Sequence, residues 1–338
     1  MTTRVLVTGY GGFLGSHICR QLTRQGYRVH GIARHDYPEL RQIGVQAIVG
    51  DVTNAMQCRD AVEGMDAVIH TAALAGVWGK RSDFESINVT ATSNLISAAK
   101  ECGVRAFVHC SSPSVTFDGT PQSGIDESVS YPQTWLCDYP RTKAISEQQV
   151  LASNDPKNML TVALRPHLIW GEGDPHLMPR LIQRCRQGRL RRVGDGSNLM
   201  DTVHVSSAAD AHVIAMKKLL DNDLGAAGRA YFITDGEPIA CWTWVSQILT
   251  AAKLVVPNKQ ISLKSAYRIG AILETIYRTG RIRSEPPMTR FVALQLGVDH
   301  YFSIQSARDR LGYNPQLNRL QELERISPWL QQVAASSI

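Results

Sequence analysis

Short apolar runs alternate with helical patterns over the first half of the chain. The runs are typical of strands that are buried on both faces of a parallel sheet. Between them apolar residues recur at helical spacing, as Leu14, Ile18 and Leu22 do ahead of Gly26. This alternation is typical of repeated strand–helix units. It predicts strands at 4–8, 28–33, 47–49, 66–70, 105–109 and 160–164, and later helices at 84–101 and 140–152.

The order of these elements predicts an α/β fold with a doubly wound parallel sheet. We expect residues 1–165 to form a dinucleotide-binding Rossmann domain. After Pro166 the spacing becomes irregular and richer in proline, glycine and arginine. Residues 166–338 are therefore expected to form mainly a smaller substrate-binding lobe. Segments near 200–215 and 230–240 are expected to return to the Rossmann part.

Composition and charge narrow the class of protein. With 43% hydrophobic and 20% charged residues, the chain can bury a sizeable core, which excludes a disordered or fibrous protein. The net charge of +6 suits a phosphorylated cofactor, an anionic substrate or a membrane surface, and we expect no nucleic-acid partner. Seven scattered cysteines indicate reduced thiols and no metal site. Since no apolar run approaches the roughly 18 residues of a membrane helix, a cytoplasmic location is expected.

A glycine-rich segment joins the first predicted strand to the first helix. Gly9, Gly12 and Gly15 are spaced three residues apart. Glycines permit a tight turn and let the backbone approach a pyrophosphate, whose charge then lies at the helix N-terminus. A tight turn alone would also use glycines. The strand before the segment and the amphipathic helix after it favour a dinucleotide site.

The end of the second strand carries the signal for cofactor choice. About 20 residues beyond the glycines, a site for NAD has an acidic residue that binds the ribose 2′-hydroxyl. This chain has Arg34 there, and a guanidinium binds a 2′-phosphate through charge-assisted hydrogen bonds. NADP(H) is therefore favoured. Because Asp36 follows two residues later, NAD(H) stays open.

Two further strand ends are candidates for cofactor contacts. Asp51 and Val52 follow the third strand, where the carboxylate and the next amide would meet the adenine; the alternative for Asp51 is a helix N-cap. The small residues Thr71, Ala72 and Ala73 follow the fourth strand and allow close approach of a cofactor or tight packing. Trp78, in the loop beyond, is expected to overlie the nicotinamide end or to fill a hydrophobic gap.

The second chemical signal is a tyrosine and a lysine four residues apart. Tyr139 and Lys143 share one helix face, because Pro140 suits the first turn of a helix. A nearby ammonium would lower the tyrosine pKa from about 10 and ease proton exchange. Ser112 follows the fifth strand, from where its hydroxyl could bind a substrate oxygen. Ser111 and Ser114 leave the choice of serine open.

Taken together, these segments resemble the extended short-chain dehydrogenase/reductases, and among them the 3β-hydroxysteroid dehydrogenase-like branch. The resemblance covers nearly the whole chain. It includes the glycine segment, 88–92, 111–112, 139–143, 164–171, 203–205, 231–237 and 307–312.

The resemblance implies roles for individual residues. Tyr139 would be the general acid in reduction, Lys143 its electrostatic partner and a ribose ligand, and Ser112 the donor to the carbonyl oxygen. Asn88 would be a supporting structural or proton-relay residue. The remaining cofactor contacts implied are Gly9, Gly12, Phe13, Leu14 and Gly15 at the diphosphate, and Pro166, His167 and Leu168 beside the nicotinamide.

Within this branch, residues 36–38, 163–175, 193–198 and 285–291 resemble a group of reductases that convert 2-alkyl-3-oxoalkanoates to β-hydroxy acids with NADPH in bacterial long-chain olefin biosynthesis. This implies that the partner is a small-molecule apolar keto or hydroxy substrate, namely a bulky or long-chain β-keto acid. We also expect a homodimer, with peripheral membrane contact and association with other pathway enzymes left open. The alternatives are an NAD-dependent 3β-hydroxysteroid or sterol dehydrogenase, a sugar-nucleotide epimerase, and a non-catalytic dinucleotide-binding scaffold.

Two features of the second half have no assigned role. Six arginines lie between 180 and 192; most are expected to face solvent, and one or two could meet a substrate carboxylate. Apolar residues at helical spacing between 269 and 277 precede three arginines. We expect this stripe to pack in the core or to wall an acyl-chain pocket, in preference to touching a membrane.

Overall fold

The computed structural model describes residues 2–336, and parallel strands dominate its architecture. The strands in chain order are β1 (Arg4–Thr8), β2 (Arg28–Ala33), β3 (Gln46–Val49), β4 (Ala67–His70), β5 (Ala106–Cys110), β6 (Gln122–Ile125), β7 (Leu160–Pro166), β8 (Ile169–Trp170), β9 (Arg192–Val193), β10 (Leu199–Met200), β11 (Val203–His204), β12 (Arg229–Ile233), β13 (Ile239–Ala240), β14 (Gln260–Ile261) and β15 (His300–Phe302).

Helices connect most of these strands. They are α1 (Phe13–Arg24), α2 (Pro38–Arg41), α3 (Ala55–Val62), α4 (Arg81–Phe84), α5 (Ala91–Glu101), α6 (Asp138–Ala152), α7 (Leu177–Arg186), α8 (Val205–Leu220), α9 (Cys241–Ala251), α10 (Leu263–Thr279), α11 (Arg290–Gln295) and α12 (Arg319–Ser336). A π-helical stretch, Glu85–Thr90, joins α4 to α5, and Ala307–Leu311 forms another; Pro113–Thr116 is a 3₁₀ turn.

Seven strands form one parallel sheet in the order β12-β7-β5-β4-β1-β2-β3. Helices α1 and α8 pack against one face, and α3, α5 and α6 cover the other. Both faces are therefore apolar: Val5 and Val7 of β1 point to one core cluster, while Leu6 points to the other. This is the predicted doubly wound α/β fold, and the prediction is confirmed.

The predicted strands of this sheet are confirmed to within a residue or two. β7 extends two residues beyond the predicted 160–164, and α6 begins at Asp138, which places Pro140 in its first turn. No strand is predicted at β12, which lies at the sheet edge beside β7, although the segment near 230–240 is expected to return to this part of the fold. The boundary at residue 165 stays a prediction.

A second core lies beyond the sheet, where α7, α9 and α12 pack together. Trp170 and Trp244 meet edge to face at its centre, with ring centroids 4.9 Å apart. A small sheet in the order β13-β10-β15-β6 lies beside this core. It pairs β6, which precedes α6 in the chain, with β15 near the C-terminal end.

The prediction that the apolar stripe at 269–277 is buried is wrong for its isoleucines. Ile269, Ile272 and Ile276 of α10 are 43%, 59% and 53% exposed. The helix instead buries Ala266, Gly270 and Glu274. Nowhere between residues 2 and 336 is there a helix long and apolar enough to cross a membrane.

Candidate active site

The site lies at the carboxyl ends of the parallel strands. The chain leaves β1 toward β2 and β3 on one side, and β4 and β5 lie on the other. Ligands of doubly wound sheets bind at such a reversal of strand order, because the loops diverge there and leave a crevice. The ends of β1, β4, β5 and β7 carry the glycine segment and most of the predicted site residues.

The glycine segment forms a cradle that side chains would fill. Gly9 has φ +65°, and a Cβ at Gly15 would lie 2.3 Å from the Gly9 carbonyl oxygen. Among the described residues no side chain caps α1, whose N-cap is the extended residue Gly12. The first backbone N–H groups of α1 are thus available to an anion. This geometry fits a dinucleotide diphosphate.

The loop after β4 lies against this cradle. The Thr71 hydroxyl donates to the Thr8 carbonyl oxygen at 2.7 Å, and the Ala72 amide donates to the Thr8 hydroxyl at 3.1 Å. A Cβ at Gly9 would lie 2.9 Å from Cα of Ala72. Residues 71–73 therefore pack tightly against the cradle and also line the neighbouring cleft, and their contact with a cofactor stays a prediction.

A cleft of about 490 Å³ extends from the cradle toward β2 and β3. Arg34 lines it, and this exposed arginine forms no ion pair within the described chain. Asp36 is engaged elsewhere, since its carboxylate binds Arg41 at 3.0 Å. A guanidinium therefore lines the part of the cleft where a carboxylate would favour NAD.

Asp51 and Val52 also line this cleft. The alternative interpretation of Asp51 as a helix N-cap is wrong: Asn54 caps α3, accepting from the amides of Met56 and Gln57. The Asp51 carboxylate accepts from the Thr53 amide at 2.9 Å and the Thr53 hydroxyl at 2.8 Å. These two hydrogen bonds within the 51–53 turn hold the Asp51 carboxylate at the cleft wall.

A second cleft, of about 450 Å³, adjoins the first, and Thr71 and Ala73 line both. The predicted residues that line this second cleft are Phe13, Leu14, Thr71, Ala73, Ser112, Tyr139, Lys143, Pro166, His167 and Leu168. Two others stand behind the walls, namely Gly15 beneath the cradle and the buried Asn88. We call this second cleft the catalytic cleft.

Burial raises the pKa of Tyr139 to about 12, and an interaction with the Ser112 side chain opposes the shift. Burial therefore outweighs the lowering of this pKa that is expected from Lys143. The Lys143 ammonium donates to the Cys110 carbonyl oxygen at 2.6 Å and lies 3.3 Å from Nε2 of His109. A raised pKa keeps the phenol protonated at neutral pH, which is the form that a proton donor requires.

Lys143 is itself buried, and this burial lowers its pKa. Its anchor at Cys110 places it at the end of β5, one helical turn from Tyr139. In this position Lys143 lines the catalytic cleft, as Thr71 and Ala73 also do. Lys143 is therefore placed to meet both the tyrosine side and the cofactor side of the cleft.

The three serines after β5 differ in their contacts. The Ser112 hydroxyl lies 2.9 Å from the Ser114 hydroxyl, and its interaction with Tyr139 acts to lower the pKa of that tyrosine. The Ser111 hydroxyl is buried without a hydrogen-bond partner in residues 2–336. Ser112 is thus the one of the three that interacts with the tyrosine.

Asn88 lies in the π-helical stretch between α4 and α5, a type of distortion that is frequent at functional sites. Its side-chain oxygen accepts from the Leu74 amide at 2.7 Å. Its side-chain nitrogen donates to the Leu74 carbonyl oxygen and to the Thr142 hydroxyl, at 3.2 and 3.0 Å. Asn88 therefore ties the cofactor-side loop to α6, which carries Tyr139 and Lys143.

Leu168 adopts a left-handed conformation, with φ +45°. Non-glycine residues seldom do so, and such strain is often found at binding sites. It lies two residues beyond Pro166, the last residue of β7, and Pro166, His167 and Leu168 all line the catalytic cleft. The bend turns the chain from the main sheet into β8 and the second core.

Sequence patterns missed part of the catalytic cleft. Gln122 and His300 line it, and they come together only because β6 pairs with β15. No local pattern indicates this pairing between distant, short strands. Trp78, in contrast, lies away from the cleft: its ring meets Tyr277 edge to face, and its indole nitrogen donates to the Ile282 carbonyl oxygen at 3.3 Å.

Most of the six arginines between 180 and 192 lie at the surface, but Arg180 lines the catalytic cleft and also binds Glu285.

Over the part of the chain that the structure covers, no cluster of His, Cys, Asp or Glu could hold a metal ion. A groove of about 820 Å³, larger than either of the two clefts described above, lies between α9 and α12 and is lined by none of the predicted site residues.

Comparison with known proteins identifies the family. The model of the 3-beta hydroxysteroid dehydrogenase/isomerase family matches residues 6–264. The chain belongs to this family. It is accordingly an NAD(P)-dependent oxidoreductase of the extended short-chain dehydrogenase/reductase type, as the resemblance implied.

Family members with high similarity include two bacterial reductases. The 2-alkyl-3-oxoalkanoate reductase of Stenotrophomonas maltophilia is 46% identical over 325 residues, covering 96% of this chain and 98% of the relative. The 2-alkyl-3-oxoalkanoate reductase of Shewanella oneidensis is 41% identical over 330 residues, covering 96% and 85%. Among solved structures, gox2253 superposes with a TM-score of 0.79 at 25% identity, and the match covers all of both chains.

Proposed function

We propose that this protein reduces a long-chain 2-alkyl-3-oxoalkanoate to the β-hydroxy acid with NADPH. The observation that carries the proposal is the meeting of Ser112, Tyr139 and Lys143 on one wall of the catalytic cleft. The high identity to two 2-alkyl-3-oxoalkanoate reductases supports the substrate class. The cytoplasmic location and the homodimer stay predictions.

The roles of the three side chains follow from their contacts. Ser112 and Tyr139, which line the same cleft, both donate to the ketone oxygen, so charge that develops there is stabilised. Tyr139 then transfers its proton to that oxygen. Lys143 stabilises the resulting phenolate and binds ribose hydroxyls. The cofactor, whose diphosphate the glycine cradle would hold and whose nicotinamide residues 166–168 would flank, would supply the hydride when bound.

Cofactor choice is assigned to Arg34, which lines the adenosine side of the cleft without an ion-pair partner in the described chain. Its guanidinium would bind a 2′-phosphate, whereas Asp36 is occupied by Arg41. We expect Arg34→Ala to raise KM for NADPH by roughly tenfold or more, because a charge-assisted hydrogen bond is lost. KM for NADH should change much less.

Steady-state kinetics with each cofactor test this prediction. Arg59→Ala is the matched control, since Arg59 is also an exposed arginine without an ion pair in the described chain and does not line the cleft. It should leave the ratio of the two KM values unchanged. Equal effects of Arg34→Ala on NADPH and NADH would overturn the assignment to NADP(H).

The substrate class is supported by an apolar cavity of about 240 Å³ that continues from the catalytic cleft. The two spaces share Leu168, Leu177 and Phe291 as lining residues. Further in, the cavity is walled by Val245 and Val292, with arginines of the 180–192 segment at its rim. An alkyl chain of the substrate would be buried in this cavity. The substrate carboxylate would meet one of these arginines where the cavity joins the catalytic cleft.

Chain length is expected to control turnover. Each buried methylene is worth about 0.8 kcal/mol, so kcat/KM should rise up to roughly fourfold per carbon until the cavity is full. Val292→Phe should make the rise level off at a shorter chain and leave short substrates unaffected. Val255→Phe, at a position that is 87% exposed, is the control with the same change in size.

A panel of 3-keto acids, 3-ketosteroids and UDP-sugars, each with NADPH and NADH, separates the candidate functions. We expect turnover of the 3-keto acids with the chain-length dependence given above. Turnover of a steroid without turnover of any 3-keto acid would overturn the proposed function and favour a 3β-hydroxysteroid dehydrogenase. Absence of turnover throughout, with cofactor still bound, would favour a scaffold.

A further inference from the structure

An exposed apolar surface lies on α10 and the loop after it. Ile269, Ile272 and Ile276 follow one another at helical spacing, and Ile282 follows the helix; all four are 41–59% exposed. They make up four of the ten large hydrophobic residues that are exposed in the described chain. We call these four residues the isoleucine surface. Clustered exposed apolar residues of this kind mark interaction sites more often than scattered ones do.

The isoleucine surface is outward-facing because the opposite face of α10 is fixed. A Cβ at Gly270 would lie 2.6 Å from the Thr289 carbonyl carbon, so the start of α11 approaches the helix closely. Glu274, also on this inner face, accepts from the Arg290 amide at 2.7 Å and from its guanidinium at 2.8 Å. Rotation of α10 to bury the isoleucines would break these contacts.

Cations surround the isoleucines. The segment 262–284 contains five basic residues and one acidic residue, and the acidic one is Glu274, which is buried and paired. All five basic residues are exposed, and none forms an ion pair within residues 2–336. They are Lys264, Arg268, Arg278, Arg281 and Arg283. The exposed side of α10 is therefore apolar and strongly cationic at once.

We propose that the isoleucine surface docks on an anionic lipid bilayer. An interfacial helix buries its apolar face at the boundary between headgroups and acyl chains, and basic residues beside it attract anionic headgroups. The segment is too short and too charged to cross the bilayer, which suits contact with one leaflet. This proposal goes beyond the proposed function and does not depend on it.

The position of the isoleucine surface links membrane contact to the catalytic cleft. Glu274 and Arg290 join α10 to α11, and the next residue, Phe291, lines both the catalytic cleft and the apolar cavity. Docking would bring these spaces close to the membrane, where an apolar substrate accumulates. A second copy of the chain suits the surface less well, because a symmetric contact would set five cations against five others.

Vesicle co-sedimentation of the full chain tests the proposal, with vesicles of phosphatidylcholine alone or mixed with phosphatidylglycerol. We expect binding to the mixed vesicles that weakens as salt is raised. Changing Ile269, Ile272 and Ile276 together to Gln should reduce the partition coefficient by roughly tenfold or more, since apolar burial is lost while helix propensity is kept. Arg281→Gln with Arg283→Gln should weaken the preference for anionic lipid.

Two exposed apolar positions elsewhere provide the control. Met56 and Val255 are 76% and 87% exposed, and changing both to Gln should leave vesicle binding unchanged. Equal binding of the wild-type chain and the triple isoleucine variant would overturn the proposal. Absence of binding to anionic vesicles would also overturn it. In that case, a dimer that the triple variant dissociates would show that the isoleucine surface is an interface between two copies of the chain.

Discussion

Tyr139→Phe is expected to reduce kcat by roughly 10²–10⁴-fold while cofactor binding stays near normal. The substitution removes the phenolic hydroxyl and keeps the ring at the cleft wall. Because the proton is transferred in the chemical step, the loss should appear in kcat more than in the affinity for substrate. Steady-state turnover of the preferred 3-keto acid and fluorescence titration with the cofactor measure the two quantities.

Tyr277→Phe is the control for this experiment. Tyr277 packs on Trp78 and lines neither cleft, so its hydroxyl should be dispensable for turnover. A Tyr139→Phe protein with near-normal kcat would remove Tyr139 from the role of proton donor.

Glu147→Gln is expected to lower the free energy of unfolding by about 3–5 kcal/mol, because it leaves a buried charge without its partner. The Glu147 carboxylate binds the Arg165 guanidinium at 2.6 Å, and the two side chains are 0% and 3% exposed. The pair joins α6 to β7, and the Arg165 guanidinium also lies over the Phe232 ring at 5.0 Å. Urea unfolding followed by circular dichroism measures the change.

A surface pair supplies the comparison for this second prediction. Asp36 and Arg41 form an ion pair with side chains 33% and 59% exposed, and exposed pairs stabilise proteins by about 0–1 kcal/mol. Asp36→Asn should therefore change stability little. If Glu147→Gln cost no more than Asp36→Asn, the buried pair would not be what holds α6 against the sheet.

The sheet and the cofactor side of the site could be predicted from sequence for a physical reason. Strands covered on both faces must be apolar throughout, so β1 and β5 appear as unbroken runs. Glycine is required where the backbone passes within contact distance of itself, as Gly15 does at Gly9. Such requirements act within a few residues and leave a visible local pattern.

Other features depend on distant contacts and leave no such pattern. The pairing of β6 with β15 brings Gln122 and His300 to the cleft, although each strand is only three or four residues long. The periodicity of α10 shows that the helix has two faces but does not show which one is covered. The pKa of Tyr139 likewise depends on its burial in the assembled cleft, which outweighs the effect expected from Lys143.

The pairing of β6 with β15 also sets an order of assembly during synthesis. The strands behind the glycine cradle, β1, β2 and β4, leave the ribosome early, and their pairing in the sheet is complete once β5 has joined it, although α8, which packs on α1, follows later. His300 and the strand that carries it emerge only near the end. Since chains begin to fold while they are synthesised, a nascent chain would present a formed dinucleotide cradle beside an unfinished substrate cleft. Cofactor available in the cell could then stabilise the early part of the fold before any substrate can bind.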